Sequence, residues 1–280
     1  MKIIDSEIHI LHPEACKASF AKYSEEPVVQ AVHMHKDFDA VRDMMSFKAL
    51  DSSMRKNNIA NGLLMGLSWL DAGIQRENND YIKELVKADR RFKGLYIPNL
   101  SDIKQAVREI ELLDESTFIG IELLPTWQGV HINDTELQPV VDAVTARDMF
   151  MMVHTHHMTQ TATGDTPSRF FSFTAANPDL KIIAQHMGGL VCLYAEIPHI
   201  KEILKNVTYI TSVSSTMRFV EFAAEICNSN IVFGTDFPFN HCHDQSTQIR
   251  YIQNSGMSDA AKENILYKTA ERLFGFGASV

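Results

Sequence analysis

The sequence lacks a long hydrophobic run, a basic tract and a cysteine framework, and each absence excludes a class of protein. Its longest strongly apolar stretch, residues 63–70, is far shorter than the roughly 20 residues of a membrane-spanning helix, so no membrane partner is expected. Lys and Arg number 26 against 35 Asp and Glu, a net charge of −9, which argues against a nucleic-acid partner. The four cysteines include no CxxC pair, which predicts a reducing compartment, the cytoplasm, and no disulfide scaffold.

What the sequence does contain is an alternation of short apolar runs with longer segments of helical spacing. The runs are rich in Ile, Val and Phe, which is typical of strands buried on both faces of a parallel sheet. Eight such strands close a barrel, so the pattern predicts an α/β fold, a (β/α)8 TIM barrel, in a single domain over residues 1–280. The predicted strands are residues 3–10, 59–68, 92–99, 118–124, 149–155, 181–186, 207–213 and 231–235.

Several segments between these strands have the apolar spacing of helices. Ser101 is a typical N-cap residue, and Thr166-Pro167 is a typical helix start. The stretch 11–36 has no regular period, and we expect it to be a loop insertion after the first strand, where an active-site lid would lie. The predicted helices are residues 79–90, 102–113, 135–147, 166–177 and 262–274.

Polar residues interrupt the first apolar strand. Asp5, Glu7 and His9 alternate along it, which predicts that all three point to one face, the barrel interior. Carboxylates and imidazoles are costly in that position unless they are paired or bind a cation. The polar residues of this strand therefore indicate a binding or catalytic site rather than an ordinary hydrophobic core.

Three later strands also end in ligand-type residues. His154 ends the fifth predicted strand, His186 the sixth and Asp236 the eighth. The C-terminal ends of barrel strands carry the active site in this architecture. Any one of these residues alone is more often a hydrogen-bonded core residue or a turn former, but four strand ends that face one axis together predict a metal site.

Several segments carry a family resemblance. Residues 184–189 read Ala-Gln-His-Met-Gly-Gly and residues 234–238 read Gly-Thr-Asp-Phe-Pro. With the Asp-x-Glu-x-His opening at residues 5–9 and the chain's ending at 270–275, they resemble the amidohydrolase superfamily, specifically the branch typified by aminocarboxymuconate-semialdehyde decarboxylase. The resemblance extends over essentially the whole chain.

This resemblance implies a metal-dependent active site. It implies a catalytic imidazole at His186, a proton-transfer role for Asp236, and one divalent metal ion held by Glu7, His9, His154 and Asp236. Glu7 stands where the family commonly has His, and an oxygen ligand shifts the expected ion from Zn²⁺ towards Mn²⁺. The fourth strand lacks the lysine that bridges two metals in other members, which favours one metal, although Glu122 offers a ligand for a second.

The same residues serve two reactions, so the reaction type stays open. We rank first a hydrolase that uses a metal-activated water on a small carbonyl substrate, such as a lactone or amide. The alternative is a non-oxidative decarboxylase of an aromatic or muconate-like acid. Glu7 favours this alternative, because a glutamate at this position resembles the variant in the aromatic-acid decarboxylases of the branch. A barrel that only binds ligands is the least favoured hypothesis, because every ligand-type position is filled.

Four residues are candidates for binding the small-molecule substrate. Arg218 follows the seventh strand and has the fork that matches a carboxylate. Trp69 and Trp127 follow the second and fourth strands and offer walls for an apolar ring, although packing under a loop explains both equally well. His157 follows the fifth strand. A homodimer is common in the branch, and the acidic surface neither favours nor opposes one.

Overall fold

Eight parallel strands form one sheet, and their spatial order follows their order in the chain. The structure, a computed structural model, describes residues 1–18, 20–35, 41–155, 163–213, 217–227, 230–239 and 245–277. The strands are β1 Ile4–His9, β2 Asn61–Met65, β3 Phe92–Tyr96, β4 Phe118–Leu123, β5 Phe150–Val153, β6 Lys181–Ala184, β7 Val207–Ile210 and β8 Ile231–Val232. Each predicted strand is present, and each is shorter than its apolar run.

The sheet closes into a barrel between β8 and β1. The Ser6 amide donates to the Phe233 carbonyl at 2.9 Å, and the His9 amide donates to the Phe237 carbonyl at 2.8 Å. These bonds extend the pairing with β1 beyond the end of β8 at Val232. The next residue, Phe233, donates its amide to the Ile265 carbonyl at 2.8 Å instead of to a neighbouring strand. The predicted (β/α)8 barrel is confirmed.

Large apolar side chains fill the barrel interior, as close packing of a parallel barrel requires. A second, larger cluster lies between the strands and the surrounding helices. Because both faces of the strands are covered, their near-continuous hydrophobicity is explained. The interior cluster takes buried residues from every strand except β4, and also from the end of the chain: Ile4, Leu63, Met65, Leu95, Met152, Ile183, Ile210, Val232, Ala270, Phe274 and Phe276.

Helices surround the barrel, and side chains cap several of their N-termini. Asp71 accepts from the amides of residues 73 and 74, and Asp102, rather than the predicted Ser101, accepts from the amide of Gln105. Residues 264–268 form a π-helical segment between α11 and α12. The helices are α1 Pro13–Lys17, α2 Pro27–His35, α3 Phe47–Asn57, α4 Ala72–Ala88, α5 Ile103–Glu111, α6 Gln138–Ala146, α7 Pro167–Ala176, α8 Pro198–Ile203, α9 Arg218–Cys227, α10 Ser246–Asn254, α11 Asp259–Glu263 and α12 Thr269–Phe274.

The prediction of an irregular loop over residues 11–36 is wrong, because this stretch contains α1 and α2. Each helix begins with a proline, whose fixed φ suits the first helical position. Isolated helices this short are marginal in water, so tertiary packing stabilises them. Ala15 of α1 and Val28 and Val29 of α2 pack with buried residues of neighbouring segments in what we call the insertion cluster: Leu11, Ala15, Tyr23, Val28, Val29, Met45, Leu67 and Trp69.

No helix in the described ranges combines the length and the hydropathy of a transmembrane segment.

Replacing Gly120 by alanine tests the packing of β4 against β5. A Cβ at this position would lie 2.1 Å from the backbone oxygen of Phe150, an overlap that only a backbone shift relieves. We expect Gly120→Ala to lower the free energy of unfolding by about 1–3 kcal/mol. Gly256→Ala is the matched control, because its nearest neighbour is 3.9 Å away, and it should leave thermal unfolding almost unchanged. Equal unfolding midpoints for the two variants would contradict this packing.

Candidate metal centre and active site

A bulge in β1 separates Asp5 from the residues that follow it. Between Asp5 and Ile8 the pairing with β2 slips by one residue, so β1 contains an extra residue there. An extra residue breaks the two-residue alternation of side chains. The prediction that Asp5, Glu7 and His9 share one face is therefore wrong for Asp5.

Asp5 is bound by the segment that follows β8. Its carboxylate accepts hydrogen bonds from the Thr235 amide at 3.0 Å, the Thr235 hydroxyl at 2.6 Å and the Gln245 side-chain amide at 2.6 Å. Burial raises the pKa of Asp5 to about 6, although these bonds oppose the rise. Asp5 thus joins β1 to the turn that carries Asp236.

Glu7, His9 and Asp236 form the centre of the site. Each offers one ligand atom, and these atoms all lie within 4.8 Å of one another. His9 Nε2 lies 3.5 Å from Asp236 Oδ1. Metal–ligand bonds to such groups are about 2.0–2.2 Å, so atoms on opposite sides of one ion are separated by roughly twice that length. The three side chains therefore have the spacing of ligands to a single divalent ion.

Three histidine rings are held through Nδ1. A carbonyl or carboxylate oxygen can only accept, so Nδ1 carries the proton in each ring and the neutral ring has its lone pair on Nε2. Each Nδ1 faces an oxygen that can only accept, so all three rings prefer the same neutral tautomer. The acceptors are the Gly66 carbonyl for His9 at 2.8 Å, Asp165 Oδ2 for His154 at 2.7 Å, and the Ser212 carbonyl for His186 at 2.7 Å.

His154 and His186 face each other through these same Nε2 atoms. The Nε2···Nε2 distance is 3.1 Å. Two neutral rings in this tautomer would oppose lone pair to lone pair, so the arrangement calls for a positive charge, either a proton or a metal ion, beside both. His154 is not in the group of three ligands defined above. Burial, and after it the charge of His154, lowers the pKa of His9.

Asp165 orients His154, and the sequence analysis did not select it as a site residue. Its carboxylate is fully buried, and it also accepts from the Thr126 hydroxyl. A carboxylate that holds the Nδ1–H of a ligand histidine fixes the ring and raises its basicity. Asp165 lies ten residues beyond the end of the predicted strand, and only an Asp-Thr-Pro helix start marks it in the sequence.

A left-handed turn presents His186. Residues 186–190 all have positive φ, at 50°, 56°, 63°, 60° and 74°. The two glycines at 188 and 189 adopt this conformation freely, whereas each of the other three residues costs about 1–2 kcal/mol. Asp236 is left-handed as well, with φ of 57°. Backbone strain of this kind concentrates at functional sites.

Two buried glutamates of the site, Glu7 and Glu122, have oxygens without the partners that buried acids need. Both oxygens of Glu7 and Oε2 of Glu122 are buried without a hydrogen-bond partner of normal geometry. Burial, followed by the charge of Asp236, raises the pKa of Glu7 well above its usual range, although the nearby Ser212 hydroxyl partly offsets the rise. Burial also raises the pKa of Glu122 to about 8, while Gln185 donates to its other oxygen at 2.9 Å.

A divalent ion fits this donor set. It would satisfy the unpartnered Glu7 oxygens and neutralise the repulsion between Glu7 and Asp236. Burial lowers the pKa of His9 to about 4, so its ring stays neutral at pH 7, as a ligand must. One Zn²⁺ or Mn²⁺ ion suits the mixture of nitrogen and oxygen ligands.

The candidate substrate-binding residues lie in different surroundings. The ring of Trp127 is 4.5 Å from the ring of His154, so it borders the site. Trp69 is 2% exposed and packs 5.1 Å from Tyr23 in the insertion cluster. Arg218 is exposed at the first position of α9, and its charge acts on Tyr251. His157 lies outside the described residues. Their binding roles stay predictions.

Comparison with protein families gives one match. The family model described as amidohydrolase matches residues 32–276, which is most of the chain but excludes β1 with Glu7 and His9. A search of curated protein sequences finds no match.

Solved structures with the same fold include several decarboxylases. A 5-carboxyvanillate decarboxylase from Sphingomonas paucimobilis has a TM-score of 0.80 at 17% identity, covering 98% of this chain and 99% of that chain. A 2,6-dihydroxybenzoate decarboxylase from Rhizobium has a TM-score of 0.76 at 17% identity, with the same coverage. A dihydroxybenzoic acid decarboxylase from Polaromonas sp. JS666, with bound manganese and the inhibitor 2-nitroresorcinol, has a TM-score of 0.79 at 18% identity, covering 99% and 98%.

The buried carboxylates predict how the stability of the metal-free protein depends on pH. Glu122, with its pKa raised to about 8, keeps a proton that the unfolded chain releases near pH 4.5, and the raised pKa of Glu7 acts in the same direction. Above pH 7 the unfolded chain therefore binds fewer protons, and stability falls as the pH rises. His9 and Asp5 contribute little there, because their folded pKa values of about 4 and 6, and the ordinary values of both groups, lie below 7.

We expect the thermal midpoint of the metal-free protein to fall between pH 7.0 and 8.5. The contribution of Glu122 is about 1 kcal/mol, or roughly 2–4 °C. Saturating Mn²⁺ should abolish the fall, and Glu122→Gln should reduce it in the metal-free protein. A midpoint that rises over this range without metal would show that these acids are ionised in the folded protein.

Proposed function

The chain belongs to the amidohydrolase family, and within that family we propose that it is a metal-dependent decarboxylase of an aromatic acid. The observation that carries the proposal is the pair of aromatic rings at the metal centre. Trp127 lies 4.5 Å from the His154 ring and Phe239 lies 5.4 Å from the His9 ring, so a planar apolar group has walls beside the ligands. The likeness to decarboxylases of carboxylated and hydroxylated benzoates supports the same choice.

The hydrolase hypothesis, ranked first from the sequence, has support only from family membership. The members of similar fold described above are named as decarboxylases. The glutamate at position 7, where the family commonly has histidine, also favours the decarboxylase. We therefore keep hydrolysis as an outcome of the test rather than as the proposal.

We assign the metal to Glu7, His9 and Asp236, with His154 as a fourth ligand. When bound, the divalent ion supplies a Lewis acid that holds and polarises the oxygen atoms of an acidic substrate. Gly66 and Asp165 fix the rings of His9 and His154 through Nδ1, so their Nε2 atoms stay oriented towards the ion. The aromatic walls exclude water from the plane of the substrate ring.

His186 is assigned the proton transfer. Decarboxylation breaks the bond between the ring carbon and the carboxyl carbon, CO₂ leaves, and the electron pair stays on the ring carbon. That carbon then takes a proton, which His186 delivers from Nε2 in its doubly protonated form while its Nδ1–H stays on the Ser212 carbonyl at 2.7 Å. The neutral ring that remains takes a proton back from solvent before the next turnover. Asp236 is the second candidate for this proton, since its carboxylate borders the same space.

A paired assay separates the two reactions. The Mn²⁺-loaded protein is incubated with a panel of hydroxybenzoates and, separately, with lactones and amides, while CO₂ and acid release are followed independently. The proposal predicts CO₂ and the corresponding phenol from at least one hydroxybenzoate. Acid release from a lactone or amide without CO₂ from any aromatic acid would favour the hydrolase.

Replacing His186 by asparagine tests its assigned role. We expect His186→Asn to lower kcat by about 10²–10⁴-fold, because the proton donor is lost. Metal content, measured by elemental analysis, should stay that of the unmodified protein. His199→Asn is the control, since His199 is exposed on α8. Near-normal turnover in His186→Asn would assign the proton to another group, with Asp236 the next to test.

A further inference from the structure

The backbone amide of His186 has its acceptor on a side chain rather than on a strand. β6 ends at Ala184, and the amide of Gln185 still donates to the Val153 carbonyl of β5 at 3.1 Å. The amide of His186 donates instead to the side-chain hydroxyl of Ser212 at 3.1 Å. Ser212 is buried and follows β7, the strand beside β6. A side chain of the neighbouring loop therefore accepts the hydrogen bond at the point where strand pairing ends.

Ser212 also holds the ring of the same histidine. Its carbonyl oxygen accepts from Nδ1 of His186 at 2.7 Å, and its hydroxyl oxygen lies 3.2 Å from the same Nδ1. A serine hydroxyl has two lone pairs and one proton. Both lone pairs face N–H groups of His186, one in the backbone and one in the ring, so the hydroxyl proton is left to donate elsewhere. Glu7 is near enough to receive it, because the hydroxyl opposes the rise in the pKa of Glu7 that burial causes.

These contacts attach His186 at two points. The residue begins the left-handed turn, and its own φ of 50° is a strained conformation that the surroundings must hold. A ring held only through Nδ1 moves whenever its backbone shifts, whereas one residue that holds both the ring and the backbone amide keeps them together. Nε2, which delivers the proton in the proposed reaction, then stays in one place. Proton transfer requires this, since a displacement of about 1 Å lowers rates up to roughly 100-fold.

We propose that the Ser212 hydroxyl is a positioning group for the proton donor, which holds the backbone and the ring of His186 so that Nε2 stays directed at the substrate. This inference deepens the proposed function and rests on it for the role of His186. The ligand histidines do not depend on Ser212, because the Gly66 carbonyl holds His9 and Asp165 holds His154. The hydroxyl should therefore affect proton transfer far more than metal binding.

A matched pair of variants isolates the hydroxyl. Ser212→Thr and Ser212→Val both add a branch at Cβ and have nearly the same shape, but only threonine keeps a hydroxyl. With saturating Mn²⁺ and a hydroxybenzoate that the protein decarboxylates, we expect kcat of Ser212→Val to be about 10–100-fold below that of Ser212→Thr, with KM within about threefold. Equal kcat in the two variants would overturn the proposal, because any packing cost of the added branch is common to both.

Mn²⁺ affinity separates positioning from a general loss of structure. We expect the Kd for Mn²⁺ of Ser212→Ala to stay within about fivefold of that of the unmodified protein, while kcat falls about 10–100-fold. A loss of Mn²⁺ affinity as large as the loss of kcat would overturn the proposal, because the hydroxyl would then act on the whole metal centre. Ser172→Ala is the control, since Ser172 is exposed on α7, and it should change neither quantity.

Proton–nitrogen NMR of the metal-free protein tests the hold on the ring without turnover. The Nδ1–H signal of His186 is identified by its absence from His186→Asn. We expect this proton to exchange with water at least about fivefold faster in Ser212→Ala than in the unmodified protein, because the ring then has one acceptor and a looser backbone. An unchanged exchange rate, or no such signal in the unmodified protein, would overturn the proposal.

Failure of this inference and failure of the proposed function give different results. No CO₂ from any hydroxybenzoate, together with faster Nδ1–H exchange in Ser212→Ala, would contradict the decarboxylase and leave the hold of Ser212 on His186 intact. CO₂ release at the same kcat from Ser212→Thr and Ser212→Val would contradict the positioning role and leave the decarboxylase intact.

Discussion

The site depends on a positive charge that compensates its buried carboxylates and histidine lone pairs at the mouth of the barrel. Glu7 has two buried oxygens without a hydrogen-bond partner of normal geometry, and it lies beside a second carboxylate, Asp236. The Nε2 atoms of His154 and His186 face each other at 3.1 Å with both Nδ1 protons already committed. Buried groups of this kind are stable when a cation lies among them or when they are protonated. A single divalent ion would bind the carboxylate oxygens, reduce the repulsion between Glu7 and Asp236, and separate the opposed Nε2 lone pairs.

The rest of the fold serves to hold these donors in place. The bulge in β1 turns Asp5 away from the site and lets it anchor the turn that carries Asp236 through Thr235. Left-handed backbone at residues 186–190 and 236 presents His186 and Asp236, at a cost that the surrounding barrel must offset. The insertion cluster packs against Trp127 and Phe239, so the helices after β1 support the aromatic walls.

The sequence predicted the barrel and the ligand-type residues because both depend on local patterns: apolar runs at regular intervals, and polar residues at strand ends. The sequence-based prediction was wrong or incomplete where a side chain's position depends on a contact with a distant residue or with the backbone. The bulge that displaces Asp5 leaves no mark on the alternation of residues 5–9, and the carbonyls of Gly66 and Ser212 have no side-chain signature. Asp165 and the helices of the insertion depend on tertiary packing, which periodicity does not report.

Anomalous diffraction from crystals of the Mn²⁺-loaded protein tests the central claim most directly. The account predicts one strong peak inside the barrel mouth, within about 2.0–2.3 Å of Glu7, His9 and Asp236 and at bonding distance from His154 Nε2. A barrel mouth without a peak at saturating Mn²⁺, or an ion bound only by residues other than these, would contradict it.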